Sequence, residues 1–359
     1  MTRRQPSIFG TVPRPALAKG KIVIRVSLVQ GRLFYVCCMK DVRTAESASA
    51  GHPDKIADQI SDAILDEALR IDSNARVAVE ALIGHGHLVL MGEVSLRGSL
   101  EYTEIGRKFL REFGYEHYAI ATSIVEQSQE ISSRVEEDAA GDQGIMVGYA
   151  CDETPEFMPL EFSIARKLTR AMGLLDGKSQ VTTTGQDIVR VVTSVGGAYP
   201  NELMSVLGQM GIQDGDPRWI RNQYETAGPE SDTGLTGRKI VVDAYGPRVP
   251  VGGGAFSGKD ATKVDRSGAY MARKVAVDLL KKHHAKEVMV KLAYSIGMKE
   301  ELMATADIIH ADDSQEHVPH IEGYDFSPAE IIRLLDLRKP RYLKTARYGH
   351  FGAGNPWDI

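Results

Sequence analysis

A glycine-rich loop is the first segment whose residue types could carry chemistry. Residues 252–259 read Gly-Gly-Gly-Ala-Phe-Ser-Gly-Lys. Because glycine has no side chain, the backbone N–H groups of this loop can approach phosphate oxygens closely, and the ammonium of Lys259 adds a positive charge. The spacing from Gly253 to Lys259 fits G-x-x-x-x-G-K, but Asp260 stands where a Walker motif needs Ser or Thr to hold magnesium. Pro250 also makes the preceding segment a poor central strand. We therefore expect a phosphate-binding loop in a protein that is not a P-loop NTPase.

A second anion-binding segment is Gly51-His52-Pro53-Asp54, at the start of an expected helix. Free N–H groups and the helix dipole favour a phosphate there. His52 can donate to a phosphate oxygen, and Asp54 offers the carboxylate oxygen that Mg²⁺ prefers. Either residue alone is more often an ordinary loop or first-turn residue. Together with the basic residues near the glycine loop, they indicate a phosphate-binding site. These basic residues are Arg238, Lys239, Lys259 and Lys263.

Three amphipathic helices must position these loops. The first follows Pro53 and places Ile56, Ile60, Ile64 and Ala68 at helical spacing. The second opens near Pro159 and the third near Asp265. Strands are expected at 22–26, 33–36, 76–83, 87–94, 187–195, 239–245 and 287–294, with a hairpin turn at 84–86. This alternation predicts an α+β fold of three related α/β units.

Composition excludes several classes of protein. The 359 residues hold 43 Lys plus Arg against 48 Asp plus Glu, a net charge of −5, so no long-range attraction to nucleic acid or an anionic membrane is expected. Three cysteines suit neither a disulfide framework nor a zinc site, and no apolar stretch could span a bilayer. We therefore expect a cytoplasmic protein. Residues 1–38 are interpreted as an extension, with Met39 as a possible translation start, and domains are expected at 39–140, 141–233 and 234–359.

The motifs together resemble those of the S-adenosylmethionine synthetase family. The matching blocks follow the family's order from about residue 42 to the C-terminus and include 46–47, 51–63, 141–144, 176–181, 234–240, 252–260, 263–266 and 348–352. So many long blocks in one order make accidental agreement implausible. The resemblance implies three structurally related α/β domains with pseudo-threefold symmetry.

The resemblance also implies a reaction between ATP and L-methionine. Sulfur attacks C5′ of the ribose, the triphosphate leaves, and the same site splits it into phosphate and diphosphate. Negative charge builds on the leaving oxygens, so fixed cations are needed and a covalent nucleophile is not. The positions that match the catalytic polyphosphate cluster are His52, Lys178, Arg238, Lys239 and Lys259.

Further site residues follow from the same resemblance. Asp176 and Ala255 match ATP-binding positions, and Tyr224 and Ile296 match the pair that sandwiches adenine, although both would also suit an ordinary core. The positions that match the methionine site are Glu93, Gln127, Asp232 and Lys263. Asp54 and Asp265 match the Mg²⁺ carboxylates, and Glu80 matches the K⁺ site. The family builds its sites between subunits, which implies a homodimer or homotetramer.

Three segments depart from the family pattern. The gate between Gln127 and Asp142 is shorter and acidic, residues 182–224 are shortened, and 247–251 replace a glycine-rich run. These changes affect the expected methionine pocket and oligomer contacts more than the ATP site. The main alternative is a catalytically impaired, nucleotide-binding regulatory homologue.

Overall fold

The computed structural model describes residues 23–29, 32–38, 42–126 and 139–359. The chain divides into a short unit, Met1–Val42, and a long one, Arg43–Ile359. In the short unit, β1 (Val23–Val29) pairs antiparallel with β2 (Arg32–Cys38). The two predicted strands are confirmed as this hairpin, with Ile22 outside the described residues.

The long unit repeats one order of elements three times: a strand, a helix, a hairpin and a further strand, with a second helix before the last strand in the first two repeats. The first repeat contains β3 (Val42–Ala48), α1 (Pro53–Ile71), β4 (Arg76–Gly84), β5 (His87–Ser95), α2 (Tyr102–Glu112) and β6 (Ala119–Val125). The second contains β7 (Gly144–Cys151), α3 (Leu160–Arg170), β8 (Gly177–Thr184), β9 (Asp187–Gly196), α4 (Asn201–Gln209) and β10 (Trp219–Tyr224). The third contains β11 (Gly234–Leu235), α5 (Ile240–Asp243), α6 (Val264–His283), β12 (Glu287–Tyr294), β13 (Met303–Ile309) and β14 (Gln315–Val318). Two short helices follow, α7 (Pro328–Leu334) and α8 (Tyr342–Tyr348).

The strand that opens each repeat pairs in the sheet of the next repeat. The three sheets have the orders β10-β9-β8-β3, β14-β13-β12-β7 and β11-β4-β5-β6. Thus β3 joins the second repeat, β7 joins the third, and β11 returns to the first. This exchange closes a cycle, which is the topology expected for three related units with pseudo-threefold symmetry. The α+β prediction is confirmed, whereas the residue boundaries predicted for the domains remain predictions.

Helix α1 forms where the sequence predicted it. The side chain of His52 caps its first turn, Pro53 occupies the first turn, and Asp54 lies at the positive end of the dipole. Ile56, Ile60 and Ile64 are fully buried against the sheet. The polar side of this helix is buried as well, which amphipathic spacing alone would not suggest.

Ion pairs neutralise the charges buried on that polar side. Lys55 lies between Asp58, 3.0 Å away, and Asp243. The two terminal guanidinium nitrogens of Arg266 donate to the two carboxylate oxygens of Asp62, each at 2.7 Å, with both side chains fully buried. These pairs tie α1 to α5 and α6, because breaking a buried pair leaves an uncompensated charge.

The strand predicted at 239–245 is wrong. Residues Ile240–Asp243 form the short helix α5, in which Asp243 N donates to the carbonyl of Lys239. Three consecutive β-branched residues favour a strand locally. Tertiary contacts override that preference, since Lys55 binds the Asp243 carboxylate and His350 N donates to the Asp243 carbonyl at 2.9 Å. Among the described residues, no helix is long and apolar enough to cross a membrane.

Candidate active site

A cavity of about 390 Å³ brings together five predicted site residues from distant parts of the chain. His52 lines it from the start of α1, while Asp176 and Lys178 come from the start of β8. Tyr224 at the end of β10 and Asp232 in the following loop complete the set. The volume lies in the range typical of small-molecule sites.

His52 is buried and held in one tautomer. Its Nδ1 accepts a hydrogen bond from Asp54 N at 3.2 Å, so a neutral ring carries its proton on Nε2. Burial, together with the nearby positive charges of Lys239 and Lys178, lowers the pKa of His52 to about 3. The imidazole is therefore neutral at physiological pH and acts as a hydrogen-bond donor through Nε2.

Asp54 connects α1 to the loop that carries the basic pair. Its Oδ1 accepts from Leu235 N at 3.0 Å and lies 3.4 Å from Nε of Arg238, and its Oδ2 accepts from the Lys239 ammonium. Burial opposes ionisation of Asp54, but the bonds from Lys239 and Leu235 outweigh it and lower its pKa. The structure thus places predicted residues Asp54, Arg238 and Lys239 beside His52.

The glycine loop forms a second group of predicted residues. Lys259 Nζ lies 2.5 Å from Oδ2 of Asp265, in the first turn of α6. A Cβ added to Gly254 would come within 2.2 Å of the Asp265 carboxylate, so this close approach requires glycine. Ala255 packs against Gly237, where a Cβ would lie 2.6 Å from the Ala255 side chain. The glycine loop therefore lies against the loop that carries Arg238 and Lys239.

Asp260, which breaks the Walker spacing, anchors the glycine loop to β4. Its Oδ2 accepts from Val77 N at 2.7 Å and from Lys263 Nζ at 2.8 Å, while its Oδ1 accepts from Thr262 N at 2.9 Å. Burial raises its pKa, but Lys263 and the other donors outweigh burial and lower it overall. No strand runs into the loop among the described residues around it, in agreement with the prediction against a P-loop.

The remaining predicted residues lie outside the cavity. Glu80 is exposed on β4, Glu93 is half-buried on β5, and Lys263 caps α6 while paired with Asp260. Ile296 follows β12 and is 53% exposed, as is Tyr224, so neither is an ordinary core residue. Gln127 and most of the gate lie outside the described residues.

Three family models match the chain in sequence. They are the N-terminal domain of S-adenosylmethionine synthetase over residues 40–140, its central domain over 137–202 and its C-terminal domain over 226–358. The chain belongs to the S-adenosylmethionine synthetase family. Residues 203–225 fall between the matched ranges, and all but the last of them lie within the segment predicted to diverge. They nevertheless hold buried core residues, including Leu203, Leu207 and Trp219.

Similar proteins cover nearly the whole chain. An S-adenosylmethionine synthase of Salinibacter ruber is 40% identical, over 88% of this chain and 94% of its own. Those of Prochlorococcus marinus and Desulforudis audaxviator are each 38% identical, over 88% and 89% of this chain and 94% and 96% of their own. The synthetase resemblance predicted from the motifs is confirmed.

Some residues of the cavity were absent from the sequence prediction. Ser194, Thr226 and Ser231 line it and offer hydroxyl groups. Their identities carry no distinctive signal, because isolated Ser and Thr occur in every loop. Only the pairing of β9 with β8 and β10 reveals that Ser194 lies opposite Lys178 and beside Asn222.

Proposed function

We propose that this chain is an S-adenosylmethionine synthase that converts ATP, L-methionine and water into S-adenosylmethionine, phosphate and diphosphate. The observation that carries the proposal is the cavity in which His52, Lys178 and Asp232 meet, in a chain matched by all three synthetase domain models. The relatives are named S-adenosylmethionine synthase, and this chain aligns with nearly their full lengths.

The basic groups suit a triphosphate that becomes a leaving group. The neutral His52 donates through Nε2, and Lys178 extends from β8 with no ion-pair partner among the described side chains around it. Lys239 and Arg238 add charge beside them, and Lys259 adds charge from the glycine loop. Fixed cations of this kind stabilise the negative charge that develops as methionine sulfur attacks C5′. The roles assigned to these residues are part of the proposal.

Asp54 and Asp265 fit the proposed Mg²⁺ ions. Both offer carboxylate oxygens, the ligand type that Mg²⁺ prefers, and each is covered by a lysine ammonium, Lys239 or Lys259. Glycines at 144 and 254 leave space around the Asp265 carboxylate that a Cβ would fill. When bound, Mg²⁺ would neutralise part of the triphosphate charge.

The methionine, adenine and K⁺ sites are proposed from the resemblance. Asp232 is available to a methionine ammonium and Tyr224 to the adenine face, since both line the cavity. Glu93, Gln127 and Lys263 complete the proposed methionine set, and Asp176, Ala255 and Ile296 the proposed ATP set. Glu80 supplies a single exposed carboxylate for K⁺. We propose that the enzyme acts in the cytoplasm, with no nucleic-acid or membrane partner.

A homo-oligomer with sites between subunits is also proposed. Leu82, Met91 and Val125 are 42%, 55% and 59% exposed. The register of β4, β5 and β6 puts all three on the outer face of one sheet. Glu80 and Glu93 lie on the same face, so a second copy packed there would cover these apolar side chains beside two proposed site carboxylates.

The decisive experiment measures the product. Wild-type protein, ATP, methionine, Mg²⁺ and K⁺ should yield S-adenosylmethionine by mass spectrometry, together with phosphate and diphosphate in equal amounts. Lys178→Ala should lower kcat roughly 10²- to 10³-fold, as expected when one donor to a developing charge is removed. The matched control Lys167→Ala alters an exposed lysine on α3 whose ammonium donates to Gln209, outside the cavity, and should leave kcat unchanged. ATP hydrolysis that does not need methionine, without a sulfonium product, would contradict the proposal.

A further inference from the structure

Two histidines and a glutamate converge at the end of the third repeat that lies away from the candidate active site. His283 ends α6, His310 follows β13, and Glu316 lies on β14. One potential ligand atom from each lies within 4.8 Å of the other two. His310 Nε2 is 2.9 Å from a carboxylate oxygen of Glu316. The rings of His283 and His310 are tilted by 57° with centroids 6.0 Å apart, so they do not stack.

The turn that carries His310 is held by its own contacts. His310 N donates to the Ser314 carbonyl at 2.9 Å, and Asp313 N donates to the His310 carbonyl at 3.0 Å. Lys286 Nζ lies 2.6 Å from Asp313. In the hairpin register, Glu316 lies opposite Ile308. The ligand-bearing backbone is therefore fixed before any ion arrives, which lowers the entropic cost of binding.

We propose that His283, His310 and Glu316 bind one divalent transition-metal ion of the zinc class. Two imidazoles and a carboxylate are a common donor set for Zn²⁺, with a fourth position left to water. The two histidines are partly buried and Glu316 is exposed, so the site opens to solvent on one side. Mg²⁺ prefers oxygen ligands and is a poor candidate for a set with two nitrogens.

Charges near the three ligands act in both directions. His283 lies in the last turn of α6, where the carbonyl end of the helix dipole is negative. Lys281, in the same turn, places its ammonium over the Phe157 ring, 5.3 Å from the centroid. Lys286 is neutralised by Asp313. Lys281 and Lys282 keep their positive charges in the last turn of α6, so the two imidazoles and the Glu316 carboxylate must bind an ion against them.

The ion would join the C-terminal end of α6 to the β13–β14 hairpin. Asp265 and His283 lie at opposite ends of this helix, roughly 27 Å apart along its axis, so the site is separate from the proposed magnesium carboxylates. An ion that binds only the folded chain raises its stability. We infer that the bound ion adds folding stability, and that turnover with Mg²⁺ does not require zinc.

Zinc binding to the full chain tests the proposal. After chelator treatment, calorimetric titration with Zn²⁺ should give one ion per chain, and thermal melting should shift upward with zinc. Co²⁺ should give visible absorption bands of a low-symmetry, nitrogen-ligated site. His310→Ala and the isosteric Glu316→Gln should each weaken zinc binding 10-fold or more and abolish the cobalt bands. Melting without metal, compared with wild type, establishes that both variants fold.

His317→Ala is the matched control. His317 lies on β14 next to Glu316 but pairs with Asp307, at 2.7 Å, outside the three ligands. Its variant should keep wild-type zinc affinity and cobalt bands. The proposal is overturned if wild-type protein takes up no zinc, if His310→Ala and Glu316→Gln bind it as tightly as wild type, or if His317→Ala weakens it equally.

Discussion

The side chain of Asp265 occupies space that only a glycine at position 254 leaves open. A Cβ there would lie 2.2 Å from the Asp265 carboxylate, an approach that forces the carboxylate to move. Because the side chain can swing away, Gly254→Ala should cost little folding stability. It should instead raise the Mg²⁺ concentration needed for half-maximal activity several-fold, as measured by product formation in a magnesium titration.

Gly208→Ala provides the comparison for this prediction. Gly208 lies within α4, and nothing approaches the position of its Cβ within 4 Å. This substitution should raise helix stability slightly, by about 0.5–1 kcal/mol, and leave the magnesium titration unchanged. An unchanged titration in Gly254→Ala would argue against Asp265 as a magnesium ligand.

Five residues named from the sequence lie together in the structure, while the roles expected for them remain predictions. His52, Asp176, Lys178, Tyr224 and Asp232 were named from motif positions, and the structure gathers them in one cavity. The binding partners of charged residues were not predictable. In the sequence, Asp260 indicated only that the Walker motif is broken. Its hydrogen bond from Val77 on β4 joins residues about 180 positions apart. Local sequence preferences do not encode such a long-range contact.

At the scale of elements, the glycine loop depends on its attachment to β4. Asp260→Ser would complete the Walker spacing but remove the carboxylate that accepts from Val77, Thr262 and Lys263. We expect the free energy of unfolding to fall by about 1–3 kcal/mol, the cost of unsatisfied buried partners. Denaturant unfolding measures this change.

The same variant should gain no methionine-independent ATPase activity. A P-loop needs a strand before the loop and a helix directly after it, and neither flanks residues 252–259 here. Phosphate release without methionine is the readout. ATP hydrolysis above the wild-type background would show that the spacing alone suffices to make a phosphate-hydrolysing loop.

The contact between α1 and α5 should make stability depend on pH. Burial raises the pKa of Asp243 to about 7. The positive charge of Lys55 opposes this increase, and the nearby carboxylate of Asp58 adds to it. A carboxyl group with a raised folded-state pKa stabilises most below its unfolded pKa of about 4, and this contribution is lost as pH rises through 7. Asp243→Asn should remove a slope of up to about 1.4 kcal/mol per pH unit between these limits.

Chemical denaturation of wild type and Asp243→Asn across pH 4–8 gives this slope as a difference. Asp278→Asn is the control, because Asp278 pairs with Lys274 on the partly exposed side of α6. Identical pH profiles for wild type and Asp243→Asn would mean that Asp243 stays ionised throughout. The short helix that carries Asp243 was missed from sequence because its β-branched residues favour a strand in isolation.

At the scale of the whole molecule, the outer face of the β4–β5–β6 sheet bears on oligomeric state. Met91→Lys adds a positive charge among the exposed apolar side chains of this face, opposite Glu80 in the register. If the face is buried between subunits, the variant should dissociate to monomers and lose most synthase activity. Light scattering after size-exclusion chromatography reports the mass.

Leu334→Lys tests whether any added surface charge has this effect. Leu334 ends α7 and is exposed to a similar degree, 46%, away from the sheet. This variant should keep the wild-type mass and activity. A monomeric wild-type protein with full activity would remove the need for a site shared between subunits.

The closed cycle of exchanged strands makes the molecule hard to divide. β3, β7 and β11 each precede a long helix of one repeat and complete the sheet of another. A gene fragment that encodes one repeat would therefore produce a sheet with a missing edge and a strand with no acceptor, which favours aggregation. Complementary fragments that restore every donated strand are the smallest pieces from which the fold could reassemble. Any rearrangement of the gene must let β3, β7 and β11 each still pair in the sheet of another repeat.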